Sequence, residues 1–222
     1  MNKVKAIIMG SVIAASGAAF AGGSYGLDVS SGYLFRGATL SDDVSIFPSL
    51  EAEIPPGLSV GAWSYFDTDD SEVEETDLYI SYGLSLAENI GASIGYTEYT
   101  YPSANGADAD REINLGLDLD AVGSPYLSVN IGVDGAIDEA VYIEAGASHA
   151  VEVTDSASLD LGVAVGYQVQ ADGAAADDGV SHVTLTAGTA IGPFGLGVAY
   201  VVETDDEVLL VDEEVFGTIS FG

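Results

Sequence analysis

Apolar and polar residues alternate with a period of two through twelve successive segments of this 222-residue chain, and that pattern restricts the fold more than any other feature. Successive side chains of an extended strand point to opposite faces, so each segment reads as a strand with one apolar and one polar face. The segments span about 24–36, 45–54, 58–66, 77–86, 90–101, 111–119, 127–134, 140–151, 158–170, 181–191, 195–203 and 214–221. In the cleanest, Leu159, Leu161, Val163, Val165 and Tyr167 oppose Asp160, Gly162, Ala164, Gly166 and Gln168. In the first, Tyr25, Leu27, Val29, Tyr33 and Phe35 share the apolar face, while Asp28, Ser30 and Arg36 share the polar one.

The connections alternate as well. Five short turns lie near 55–57, 87–89, 120–125, 152–157 and 192–194. Six longer, mostly acidic loops lie at 37–44, 67–76, 102–110, 135–139, 171–180 and 203–213. Short and long connections in strict alternation belong to an up-and-down barrel with both termini on one side. A soluble β-sandwich also alternates. Its dry core, however, could not hold the Glu, Asp, Gln and Asn found here at mid-strand without partners. The expected fold is therefore all-β: a transmembrane antiparallel up-and-down β-barrel of about twelve strands, closed so that no strand edge is left in the lipid.

Composition supports export and excludes several functions. Hydrophobic residues make up 48% of the chain, yet beyond the N-terminus no run approaches the roughly 18 apolar residues of a helical span. Lys3 and Lys5, the apolar stretch Ala6 to Ile13, and the small-x-small site Ala19-Phe20-Ala21 form a secretory signal peptide over 1–21. Residues 22–222 are then the barrel, placed in the bacterial outer membrane. Its expected partners are outer-membrane lipids and, during biogenesis, the barrel-assembly machinery, whose C-terminal aromatic signature is matched by Phe221 with Gly222 following it. Without the signal, Arg36 and Arg111 are the only Lys or Arg side chains facing 36 acidic ones, so no basic surface exists for nucleic acid. Cysteine is absent, which removes disulfides, thiolate metal sites and a Cys nucleophile.

Near the start of the barrel, Ser30-Ser31-Gly32-Tyr33-Leu34-Phe35-Arg36-Gly37 resembles the "S-x-Y-x-F-R-G" opening of the TorF-type family. Leu58-Ser59-Val60-Gly61-Ala62-Trp63 resembles that family's "G-x-x-V-G-x-W" strand, and Tyr79-Ile80-Ser81-Tyr82-Gly83 its third hairpin. The family comprises proteobacterial outer-membrane barrels held to be porins. The resemblance covers about the first 80 residues. It implies a porin-like role, while the acidic loops and scarce arginine depart from the family pattern.

By parity Arg36 points into the barrel, with inward Glu51 and Glu53 on the neighbouring strand. Such a set forms either a charged constriction or an Arg–carboxylate brace on the wall. Asp28, Glu112, Asp118, Asp134, Glu144 and Asp160 also face inward and would favour passage of cations. The acidic loop bearing Asp67, Asp69 and Asp70 is a weak candidate for a divalent cation. It lacks the EF-hand pattern, with Glu72 at the turn position that needs Gly. No cofactor motif is present, since Gly192 to Gly197 is a turn with no helix after it. Catalysis is not expected: Ser181 and His182 are adjacent on a strand and so face opposite sides. The expected function is passive diffusion of small ions or solutes, with cations preferred. The alternative is a non-conducting structural barrel, or one that binds a ligand or divalent cation. Twelve strands lie between barrels filled by side chains and barrels with a water channel. Gly and Ser on the polar faces leave space, whereas Trp63, Tyr65, Tyr79, Tyr142 and Phe216 could fill it.

Overall fold

The computed structural model describes residues 18–20, 23–154, 157–174, 176–202, 208 and 214–221. Its strands are β1 (Ala18–Phe20), β2 (Gly23–Ser30), β3 (Tyr33–Phe35), β4 (Ala38–Ser41), β5 (Ser45–Ile54), β6 (Leu58–Asp67), β7 (Glu72–Ala87) and β8 (Ile90–Thr100). They continue as β9 (Asp110–Leu119), β10 (Tyr126–Asp134), β11 (Val141–Thr154), β12 (Ala157–Val169), β13 (Gly179–Ile191), β14 (Phe194–Val202) and β15 (Glu214–Phe221). Among the described residues the only helical element is a single 3₁₀ turn, Gly135–Ile137.

Strand β2 pairs with β5 on one side and β15 on the other, and β5 to β15 pair in chain order. Twelve antiparallel strands thus close into a barrel. Closure runs through Leu27↔Phe221 to Ser30↔Thr218. The short segment β1 pairs with the start of β2, and the rest of the expected signal peptide lies outside the described residues. The loop 203–213, apart from Val208, and Gly222 also lie outside them.

Apolar faces point outward as the alternation requires. Leu50, Leu78, Leu84, Ile94, Leu117 and Leu185 are all exposed, forming the belt that a barrel presents to lipid. Phe194 and Phe221 meet edge-to-face at 5.2 Å near the turn end. Strands β5 and β15 match the expected limits to the residue. Two expectations need correction. The loop 67–76 shrinks to 68–71, because the β6–β7 ladder continues through Tyr65↔Glu75 to Asp67↔Glu72. Beyond the apolar belt both faces are wet, so alternation stops marking the strand. The first strand, expected to reach residue 36, ends at Ser30. Tyr33 is buried and lies inside, not on the apolar outer face.

Candidate functional site

The chain leaves the wall at Ser31 and Gly32 and forms a hairpin of its own, β3–β4, which pairs with no barrel strand among the described residues. A Cβ on Gly32 would stand 2.6 Å from a Phe216 ring carbon and 2.7 Å from the Ser41 carbonyl oxygen, so only glycine lets the chain turn inward here. At the tip, Arg36 (φ 52°) and Gly37 (φ 87°) are both left-handed. Positive φ at both central residues makes the two-residue turn a type I′ hairpin. An arginine in that region is uncommon, and its side chain carries the contacts that hold it there.

The hairpin crosses the interior in the loop-end half of the barrel. On one side Tyr33 enters an aromatic cluster, with ring centroids 5.4 Å from Phe47, 5.6 Å from Trp63 and 4.8 Å from Tyr65. Its hydroxyl donates to Glu75 Oε2 at 3.0 Å. Phe35 meets Tyr99 edge-on at 6.2 Å. On the other side Leu34 packs on Ala199, Val201 and Phe216, and the Thr39 hydroxyl donates to Glu214 Oε2 at 2.7 Å. At the tip, a Cβ on Gly37 would fall 2.5 Å from the His182 side chain on the far wall. The hairpin root is tied through Ser31 N donating to Gly217 O at 2.9 Å. Among the described residues, the hairpin's other hydrogen bonds to the wall involve side chains.

Arg36 forms the centre of the site. Its Nη1 and Nη2 donate to Glu112 Oε1 and Oε2 at 2.6 and 2.8 Å. This forked geometry is the strong form of a charge-assisted pair. The guanidinium carbon lies 4.7 Å from the Phe35 ring centre and 4.6 Å from that of Tyr142, so the cation is held between two rings. Tyr99 and Asn114 also donate to Glu112 Oε2, at 2.8 and 3.3 Å. Glu112 is 2% exposed, Tyr142 1% and His182 0%, so the wall at this level is closely packed against the hairpin. The expected neighbours of Arg36 are thus corrected. Glu51 instead accepts from Tyr79 at 3.2 Å, and Glu53 is exposed at the turn end.

The other acidic candidates separate by depth. Glu144 is buried and accepts from Tyr142 at 2.6 Å and Tyr126 at 2.7 Å. Because the Tyr142 proton goes to Glu144, its oxygen accepts from His182 Nε2 at 3.1 Å, which places the histidine proton on that nitrogen. Asp28 is buried beside the closure seam. Asp118 and Asp160 lie in the turn-end half, half-buried and exposed respectively, among glycines and serines. Asp134 sits at the outer rim, where Arg111 bridges it to Glu98, next to an outer cavity of about 740 Å³.

Two further placements bear on chemistry. Ser181 is an extra residue between the pairs Gly166↔His182 and Tyr167↔Val180, a β-bulge. It turns Ser181 inward with His182, which corrects the expectation of opposite faces, and both are buried. His182 Nε2 nonetheless addresses Tyr142. In the acidic loop, Asp67 accepts from Tyr65 at 2.5 Å and from Asp69 N at 2.8 Å, so its oxygens cap the turn. No cluster of three or more metal-ligating side chains occurs among the described residues.

A closed twelve-strand barrel with an outward apolar belt and a polar interior crossed by one hairpin defines a porin-like architecture. A solved NanC porin shares this fold, with a TM-score of 0.53 at 12% identity over 88% of this chain and 99% of that one. A family model matches residues 14–217, and the chain belongs to that family, Gcw_chp, described as bacterial proteins of unknown function. No curated protein matches the chain in sequence.

Proposed function

We propose that this protein is an outer-membrane channel for small ions or solutes, cation-preferring and non-enzymatic, with the β3–β4 hairpin as its constriction. The observation that carries the reading is the mode of closure. The obstruction is a separate two-stranded element attached at one root and clamped by side chains. A lone two-stranded hairpin is marginal by itself, so its position depends on those clamps. The porin-like barrel and the TorF-type motifs support the channel role. A cleaved signal over 1–21 and folding by the barrel-assembly machinery complete the proposal.

Cation preference rests on the charge of the lumen wall. Glu51, Asp118 and Asp160 line the turn-end half, and a wall of one sign concentrates counterions. The close packing of Glu112, Tyr142 and His182 around Arg36 favours a second reading, a sealed barrel that binds a ligand and does not conduct. Planar-bilayer recording under a salt gradient separates the two. Cation-selective steps, with selectivity reduced in Glu51→Gln/Asp118→Asn/Asp160→Asn, support the channel. A folded barrel that never conducts, even with the hairpin removed, supports the sealed one.

A further inference from the structure

We propose that the Glu112 pocket is a receptor for small guanidinium-bearing organic cations, which Arg36 occupies as a tethered surrogate for the ligand. This inference deepens the hairpin constriction proposed above and rests on it.

The pocket is built for such a group. Glu112 is almost fully buried and presents both carboxylate oxygens to a planar fork. Tyr99 and Asn114 orient that carboxylate from the barrel wall. The Tyr142 ring supplies a π face 4.6 Å from the cation. Its tilt is held by hydrogen bonds to Glu144 and His182, again wall residues. Bidentate pairing together with ring stacking distinguishes guanidinium from ammonium or a simple metal ion. Only Phe35 and Arg36 come from the hairpin.

The surroundings favour exchange with a free cation. Glu75, Asp77, Asp110, Glu112 and Glu144 are all buried at this level, and Arg36 is the only Lys or Arg among these buried groups. Asp77 Oδ1 is buried with no hydrogen-bond partner. A second cation entering this level therefore meets carboxyl groups that its charge can ionise or keep ionised. Arg36 holds its place by tethering, which for a short linker amounts to an effective concentration on the order of millimolar. A free guanidinium at comparable concentration competes on equal chemistry. When it takes Glu112, the tip loses its strongest clamp.

The test uses the refolded full-length barrel and methylguanidinium chloride, with sodium chloride at equal ionic strength as the control. The chain has one tryptophan, Trp63, whose ring packs against hairpin Tyr33, so its emission reports hairpin position without requiring conduction. The expected result is a saturable emission change with methylguanidinium and none with sodium. Arg36→Ala has no clamp left for Trp63 to report, so binding to it is followed by titration calorimetry; its half-saturating concentration should be lower than that of the parent by about tenfold or more, because the tethered competitor is gone. Arg36→Lys, which keeps the charge but not the fork, should shift it the same way by less, and it decides the matter if Arg36→Ala does not fold. Glu112→Gln should abolish the response. Equal responses to both salts, a half-saturation unmoved in the arginine variants, or an unchanged response in Glu112→Gln would each overturn the proposal. Binding without conductance would count against the channel while leaving this receptor standing, and conductance without binding would do the reverse.

Discussion

The two halves of the barrel share one wall and one alternation but have opposite interiors. Toward the loops, inward positions carry Phe47, Trp63, Tyr65, Tyr142, Val201 and Phe216, all buried. Toward the turns, inward positions carry Gly83, Ser85, Gly116, Asp118, Ser148 and Asp160, none of them buried. The closed shape is common to both, so it does not decide whether the lumen is filled. Side-chain volume and the inserted hairpin do. Three large wall residues face glycine across the ladder: Tyr79 opposite Gly61, Tyr126 opposite Gly146, and His182 opposite Gly166. A Cβ at any of those glycines would lie under 3.0 Å from the facing side chain.

Substitutions that treat the halves differently sharpen the contrast. Tyr33→Ala removes the centre of the aromatic cluster and the donor to buried Glu75, and it should cost about 4 kcal/mol in urea unfolding from lipid vesicles. A loss under about 1 kcal/mol would mean the packed half is not a core. Glu112→Ala strands the Arg36 charge among rings and should cost about 3 kcal/mol. The double change with Arg36→Ala should cost clearly less than the sum of the single ones, as groups in contact require. Gly37→Val forces a β-branched residue to φ 87° against His182, at roughly 2 kcal/mol. Asp118→Asn, in the turn-end half, should stay within about 0.5 kcal/mol of the parent. A large effect there would break the comparison.

Much of this molecule is legible in its alternation. The strands β5 and β15, the paired short and long connections, and the outward Leu and Ile faces follow from period two alone. The hairpin was harder to read, because Tyr33 and Phe35 continue the parity of Tyr25 and Leu27 across a break. Ser31-Gly32 and the Arg36-Gly37 pair were the local signs of that break. Parity placed Arg36 inside, but its partner Glu112 is 76 residues away. Glu51 pairs with Ser24 at the opposite end of the first strand, so the neighbouring strand does not bring it or Glu53 near residue 36; the hairpin carries Arg36 across the lumen to Glu112. The bulge at Ser181 inserts one residue and inverts the parity argument locally, leaving no mark in composition.

Single-channel conductance of two refolded proteins in the same bilayer tests the central claim most directly: the intact chain, and a variant in which residues 32–42 are replaced by a short Gly-Ser turn. If the hairpin is the constriction, the intact barrel stays mostly closed and the shortened one conducts in stable, cation-selective steps at least severalfold larger, as a twelve-strand lumen freed of its filling permits. Equal conductance from the two folded proteins, or none from either, would contradict it.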